Sequence, residues 1–273
     1  MKLSIVTINR NNADGLRRTM QSVASQTCKE FEYIVVDGAS SDGSVEIMEE
    51  WAQKISALGV CVDAQSEIDA GLYSAMNKGV RKSEGEYVLM LNSGDWLVDE
   101  HVIGKIMLLL DGTDIVQGNV IRFRNGKEMV TRGYGHSDIN FIDVQQGHFL
   151  HQASFCRRDL FEKYGYFDES YKIHADTVFY IKTLGYGEAS FKYVDVNVAY
   201  FDQGGRSSNE NTQWQALRKK EFDRWSTELF SSRLWATCIE YDKKGRLYDK
   251  LHRHKWAWNI TMVLAKLIDR LEK

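Results

Sequence analysis

The first hundred residues alternate between short apolar runs and amphipathic stretches. Leu3–Ile8 is a continuous apolar run of strand length. Asn12–Gln26 follows, with Leu16, Met20 and Val23 spaced to share one helical face. Phe31–Val36 is a second strand-like run and ends at Asp37. Ser44–Leu58 reads as a helix entered through Ser40-Ser41-Asp42-Gly43-Ser44, a turn followed by an N-cap. Val60–Ala64 predicts a third strand, Gly71–Val80 a helix and Tyr87–Leu91 a fourth strand. This alternation predicts a parallel sheet covered by helices on both faces. Ligands of open α/β sheets sit outside the carboxyl ends of the strands, where Asp37 and Asp95 both fall.

The later pattern is more mixed. Asp114–Phe123 predicts a strand and Gly126–Arg132 its hairpin return. Leu160–Tyr164 and Ala175–Leu184 predict helices, and Phe191–Phe201 another strand. From Asn211 onward the chain reads as helical and aromatic-rich. His252–Lys273 has Trp256, Ile260, Val263, Leu264, Leu267, Ile268 and Leu271 on one broad apolar face. That face suits an anionic membrane surface, a homodimer or packing on the preceding domain. Charge divides at the same place. Residues 1–210 hold 21 basic and 30 acidic side chains, and residues 211–273 hold 14 and 8.

Composition narrows the function classes. A net charge of −3 gives no bulk attraction to nucleic acid. Four cysteines lie far apart with no C-x-x-C pair, which argues against structural zinc and a disulfide scaffold and for a reducing compartment. The N-terminus enters a strand directly, without the apolar region of a signal peptide, and no apolar run reaches the roughly 18 residues of a membrane span. A cytoplasmic protein is expected, with the inner membrane face as its alternative address.

Several short segments carry candidate chemistry, each beside a plain structural reading. Asp37, at a strand end before Gly38 and Ser40, can accept hydrogen bonds from a base or ribose; Asp42 reads as an N-cap. The same segment lacks the lysine of a phosphate loop. Asp69 precedes a helix carrying Asn77 and Lys78, suited to ribose and phosphate or to an ordinary capped helix. Asp95 ends the turn Asn92-Ser93-Gly94-Asp95, where a carboxylate can hold Mg²⁺ or Mn²⁺ or simply close a turn. His151-Gln152 reads as a polar wall of a substrate pocket, since His148 and His151 have no third metal ligand at suitable spacing. Asp176 opens a predicted helix, where the helix dipole favours the ionised carboxylate that can take a proton from a sugar hydroxyl; simple capping is the other reading. Phe201–Ser208 is a glycine-rich loop with one cation, Arg206, suited to a diphosphate or to a linker.

In this order, Ser4–Asn9, Val36–Ser44, Ser66–Gly79, Leu91–Asp95, His151-Gln152 and Ala175-Asp176 closely resemble the family 2 glycosyltransferases. The likeness is greatest to the bacterial branch that builds exopolysaccharide, capsule and O-antigen, and it covers roughly residues 2–208. It implies an α/β fold of GT-A type, with a Rossmann-like, mostly parallel sheet and a C-terminal helical extension. The catalytic domain would be 1–210, divided into a nucleotide-binding half (1–100) and an acceptor half (101–210), with 211–273 as the extension. The resemblance further implies a nucleotide-diphospho-sugar donor, a UDP-sugar favoured, an Mn²⁺ or Mg²⁺ cofactor and inversion at the anomeric carbon. The acceptor would be a sugar or a lipid-linked oligosaccharide.

By position, Thr7, Asn9 and Asp37 would hold the base and ribose, with Asp69 also on the nucleoside. Asp95 would bind the metal, Asp176 would be the general base, and Arg206 would sit near the diphosphate. Asn77, Lys78, Asn92, Ser93, His151 and Gln152 complete the expected donor site. The chain departs from the family pattern at Asn92, Gly38 and Ala175, where acids are usual. Those losses motivate an alternative, a nucleotide-sugar-binding scaffold or sensor without transfer activity. A nicotinamide dehydrogenase is disfavoured, because no G-x-G-x-x-G follows the first strand.

Overall fold

A computed structural model describes residues 1–124, 127–139, 143–144, 149–201, 212–254, 257 and 259–264. The chain separates into two compact units, Met1–Phe222 and Asp223–Lys273.

In the first unit the alternating pattern folds as it reads. Strands β1 (Leu3–Asn9), β2 (Glu32–Asp37), β3 (Cys61–Ser66) and β4 (Tyr87–Met90) pair in parallel, in the order β3-β2-β1-β4. Every residue of β1, β2 and β4 is buried, as expected for parallel strands covered on both faces. Helices α1 (Ala13–Ala24), α2 (Ser44–Ala57) and α3 (Leu72–Lys82) are the crossovers. Leu16, Met20 and Val23 form the buried stripe of α1, which starts at Asn12, whose side chain accepts from the Gly15 N–H. Asp42 serves two helices at once: its carboxylate accepts from the Ala13 N–H of α1 and from both the N–H and hydroxyl of Ser44 in α2.

Beyond β4 the sheet becomes mixed. β8 (Ser154–Arg157) runs antiparallel to both β4 and β6 (Ile115–Arg124). β9 (Phe191–Tyr200) lies parallel to β6, and β5 (Trp96–Leu97) antiparallel to β9. β7 (Lys127–Thr131) is the hairpin partner of β6. β5, β8 and α4 (Val102–Met107) are too short to show a hydrophobic period of their own. Helices α5 (Asp159–Tyr164) and α6 (Ala175–Tyr180) follow their predicted positions, but the stretch expected to continue α6 winds wider, as a π-turn over Ile181–Gly185. Helix α7 (Thr212–Leu229) begins in the first unit.

These directions decide what meets at the carboxyl rim. β8 emerges from a 3₁₀ turn at His151–Ala153 and descends antiparallel to β4, with Leu89 paired to Phe155. The turn before β8 therefore stands beside the residues after β4. In the same way Tyr200 pairs with both Trp96 and Ile121, so Phe201 neighbours Asp95 on one side and Arg122 on the other.

At the opposite rim a buried carboxylate fixes the register. Glu32 accepts from the Ser4 hydroxyl and from the Glu84 and Gly85 N–H groups, at 2.5, 2.6 and 2.9 Å.

In the second unit, α8 (Ser232–Arg253) follows the last part of α7, and Trp225, Phe230 and Trp235 form an aromatic cluster with centroids 5.0–6.1 Å apart. Ile260, Val263 and Leu264 are each more than half exposed. Trp256, Leu267, Ile268 and Leu271 lie outside the described residues. No described helix is long and apolar enough to cross a membrane.

A Cβ at Gly85 would lie 2.6 Å from the Ser4 nitrogen and 2.7 Å from the Leu3 carbonyl carbon. Backbone cannot swing aside as a side chain can. Gly85→Ala is expected to lower unfolding stability by about 1–3 kcal/mol, read from the denaturant midpoint at constant slope; a loss under about 0.5 kcal/mol contradicts this packing.

Candidate active site

Two polar clusters occupy the carboxyl rim. The first is built on one rung of the parallel sheet, where Asn9, Asp37 and Ser66 are register partners. Asp37 is 0% exposed. Its Oδ1 accepts from Asn9 Nδ2 (2.7 Å) and the Ser40 hydroxyl (2.6 Å); its Oδ2 accepts from the Ser40 N–H (2.9 Å) and the Ser66 hydroxyl (2.6 Å). Burial pushes this carboxyl upward, but the hydrogen bonds from Ser40, Ser66 and Asn9 outweigh it, so Asp37 titrates below the ordinary value and is ionised at neutral pH. Asn11 and Ala39 flank the cluster with φ of 50° and 54°, left-handed conformations that are uncommon outside glycine. Ser40 links them, its hydroxyl accepting from the Asn11 N–H. The Oδ1 of Asn9 is buried and accepts no hydrogen bond among the described residues.

Asp69 reaches the same place from the loop after β3. It accepts from the Gly71 N–H (2.9 Å) and faces Arg10 at 3.9 Å. Gly38 makes room for it, since a Cβ there would sit 2.5 Å from Asp69 Oδ2.

The second cluster is a chain of side chains. Asn92 Nδ2 lies 3.3 Å from His151 Nε2, and His151 Nδ1 lies 3.2 Å from Asp176 Oδ2. Asp176 Oδ1 accepts from the Tyr73 hydroxyl (3.1 Å) and the Thr177 N–H (2.8 Å). For Asp176 burial acts upward, yet His151, the Thr177 N–H and Tyr73 together bring the carboxyl below its ordinary value. For His151 burial acts downward, but the hydrogen bond and charge of Asp176 and the charge of Asp95 raise it. The Tyr73 phenol is pushed well up by burial and then by Asp176, so it stays a donor. Asn92 Oδ1 is buried without a partner among the described residues; a half-turn of that amide would present it to the Nε2–H of an imidazolium.

Asp95 stands beside this chain. It is 5% exposed, its carbonyl accepts from the Thr19 hydroxyl (2.6 Å), and its carboxylate acts on both His151 and Arg122. Arg18 braces the same turn by donating to the Gly94 carbonyl while lying 4.3 Å over Trp96. Ser93 is tied to the Asn12 side chain at 3.1 Å, which joins the turn to the start of α1. Buried Glu221 of α7 holds the approach to Asp176, accepting from the Lys172, Ile173 and His174 N–H groups at 2.6, 3.0 and 3.1 Å. The Ile173 carbonyl in turn accepts from Tyr73.

The structure thus brings Asn9, Asp37 and Asp69 together, and Asn92, His151 and Asp176 together with Asp95 beside them. Ser93 and buried Gln152 lie in the adjoining turns. Three other expected residues are engaged elsewhere. The hydroxyl of Thr7 is fully buried between the Leu91 carbonyl and Tyr33. Asn77 clamps the Phe167 backbone and Glu169. Lys78 is held by Glu67 and the Ile68 carbonyl. Each satisfies a buried or loop backbone group that a linear reading cannot see. Arg206 and His148 lie outside the described residues. Tyr73, Arg122 and Glu221 went unread, because each is an ordinary helix or strand residue until folding aligns it with a distant partner.

The His151–Asp176 pairing has a signed pH dependence. The His151 contribution is complete below its ordinary value of 6.5 and is lost as pH rises through its raised folded value. The Asp176 contribution is complete above 3.8 and is lost as pH falls through its lowered value. The stability difference between the wild type and His151→Gln is therefore expected to shrink as pH rises above 6.5, measured by denaturation across pH 5–9 on the scale of about one pH step per tenfold change in protonation. A difference that widens with pH would show that the imidazolium is not the stabilising form.

Residues 4–165 match the family described as glycosyl transferase family 2. A PGL/p-HBAD biosynthesis glycosyltransferase of Mycobacterium bovis (strain BCG / Pasteur 1173P2) is 29% identical over 219 residues, 79% of this chain and 82% of its own. An uncharacterised glycosyltransferase of Mycobacterium tuberculosis (strain CDC 1551 / Oshkosh) is 31% identical over 184 residues, 66% of this chain and 68% of its own. Among solved structures, S. aureus TarS 1-349 in complex with UDP-GlcNAc superposes with a TM-score of 0.64 at 19% identity, covering 80% of this chain and 64% of that one. The mannosyltransferase PcManGT from Pyrobaculum calidifontis, in complex with GDP-Man and Mn²⁺, gives 0.61 at 16% identity, covering 84% and 64%. This chain spans less than two thirds of either solved chain, and at such identities the likeness speaks for the fold, which is of the expected GT-A type. With more than half of its length matching the family pattern, the chain belongs to glycosyl transferase family 2.

Proposed function

We propose that this protein is an inverting glycosyltransferase that moves a sugar from a nucleotide-diphospho-sugar, a UDP-sugar favoured, to an acceptor hydroxyl in cell-surface polysaccharide synthesis. The observation that carries the reading is Asp176: a carboxylate held ionised at a rim it shares with Asp95. The first cluster supplies nucleoside contacts. Asn9 Oδ1 is a buried acceptor awaiting a donor, and Asp69 lies against Gly38 for the ribose. An acceptor hydroxyl placed at Asp176 would lose its proton there as it attacks the anomeric carbon from the face opposite the diphosphate. Tyr73 and the Thr177 N–H fix the carboxylate, and His151 keeps it charged. The acceptor would be a sugar or lipid-linked oligosaccharide, with the exposed Ile260–Leu264 region a candidate for membrane or homodimer contact.

Asp95 would hold Mn²⁺ or Mg²⁺. Among the described residues no group of three or more acidic, His or Cys side chains is arranged around a cation. One carboxylate still fits, because Mg²⁺ commonly takes one or two carboxylates and completes its shell with substrate phosphates and water. When bound, the ion would neutralise charge developing on the departing nucleoside diphosphate.

A second reading rests on Asn92 and Ala175, which stand where the family usually has acids: a scaffold that binds nucleotide sugar without transferring it. It requires donor binding with neither transfer nor slow donor hydrolysis. The catalytic reading expects Asp176→Asn to lower turnover by about 10²–10⁴-fold, with donor affinity by calorimetry changed less than about twofold. Near-normal turnover in that variant removes Asp176 from the role. Asp95→Ala is expected to abolish the gain in UDP affinity on adding Mn²⁺, on the order of tenfold or more per 1.4 kcal/mol of lost coordination. An undiminished Mn²⁺ effect would place the metal elsewhere.

A further inference from the structure

Arg122 has a position that neither the fold nor the second cluster explains. It lies near the end of β6, partly buried, where the pairing of Tyr200 with Ile121 and Trp96 sets Phe201 between it and Asp95. Its Nε is buried and has no hydrogen-bond partner among the described residues. Phe201 covers one face of the guanidinium, with the ring centroid 4.9 Å from Cζ. The charge of Asp95 acts on the Arg122 guanidinium. A buried N–H left without an acceptor on a partly buried cation is costly, and a chain that keeps one at a ligand rim has a use for it there.

Three other cations among the described residues already have partners. Lys78 is held by Glu67, Arg10 faces Asp69, and Arg18 donates to Gly94 while stacking on Trp96. Phe201 packs against the Arg122 guanidinium, whose Nε–H has no acceptor among the described residues. A planar fork of donors matches the paired oxygens of a phosphate better than any single carbonyl does.

We propose that Arg122 is a binding residue for the diphosphate of the nucleotide donor, resting on the donor reading above. It would supply fixed positive charge to the departing diphosphate. This binding does not require a metal, because the guanidinium meets the phosphate oxygens directly.

The test is calorimetric binding of UDP, GDP and dTDP to wild type, Arg122→Gln and Arg122→Lys, each in EDTA and in Mn²⁺, with the matching free nucleoside as a phosphate-free comparator. In EDTA, Arg122→Gln is expected to bind the preferred nucleoside diphosphate about 10- to 100-fold more weakly, the range of a buried charge-assisted hydrogen bond. Nucleoside affinity should be unchanged, and Arg122→Lys should recover only part of the loss. Thermal melts of the free variants establish that both fold, and Arg122→Met is the substitute if Gln does not. Equal diphosphate affinity in wild type and Arg122→Gln overturns the proposal, as does a parallel loss of nucleoside affinity. A wild type that binds none of the three diphosphates, even with Mn²⁺, overturns the donor reading itself and this assignment with it.

Discussion

The rim of this sheet depends on the complete burial of the Asp37 carboxylate. A charge so placed costs several kcal/mol unless donors surround it, and here the parallel register delivers them. Asn9 and Ser66 lie on the same rung to either side, and Ser40 closes the remaining directions with its hydroxyl and its N–H. The turn that brings Ser40 back requires left-handed backbone at Ala39, with a second such residue at Asn11 opposite. Strain of this kind persists where surrounding contacts over-determine it, commonly at functional sites. The Asp37 knot therefore holds the ends of β1, β2 and β3 and the entrances of α1 and α2 in one arrangement.

The second half of the sheet adds what parallel strands could not. A strand that ascends beside β4 would put its beginning at the far rim. By descending instead, β8 places the turn that precedes it next to Asn92, and His151 arrives between Asn92 and Asp176. The ascent of β6 and β9 then sets Phe201 between Asp95 and Arg122. Two acids, Asp95 and Asp176, stand among two basic groups, Arg122 and His151. Such local balance lets ionised groups persist at low exposure.

The three departures from the family pattern acquire local reasons. Gly38 is where a side chain would strike Asp69, so Asp69 fills the space that a side chain at 38 would need. Asn92 contacts an imidazole that Asp176 already neutralises; its amide can serve the ring in either protonation state, where a second carboxylate would add unbalanced charge. Ala175 is 1% exposed, so a glutamate there would be a buried charge at the start of α6.

The order of local elements was written in the sequence. The apolar runs ending at Asn9, Asp37 and Leu91, and the spacing of Leu16, Met20 and Val23, fix strand and helix types because each reports its own burial period. The acids at strand ends were legible for the same reason, since a carboxylate closing an apolar run has only the rim to go to. The direction of β8, the pairing of Glu221 with the Lys172–His174 backbone, and the meeting of Arg122 with Asp95 were not legible. They join residues 47 to 49 positions apart in one case and belong to strands of two to ten residues in the others. A period records which face of an element is buried, not which distant element covers it. Only the packed sheet decided that Thr7 and Asn77 would satisfy the interior while His151 and Arg122 came to the rim.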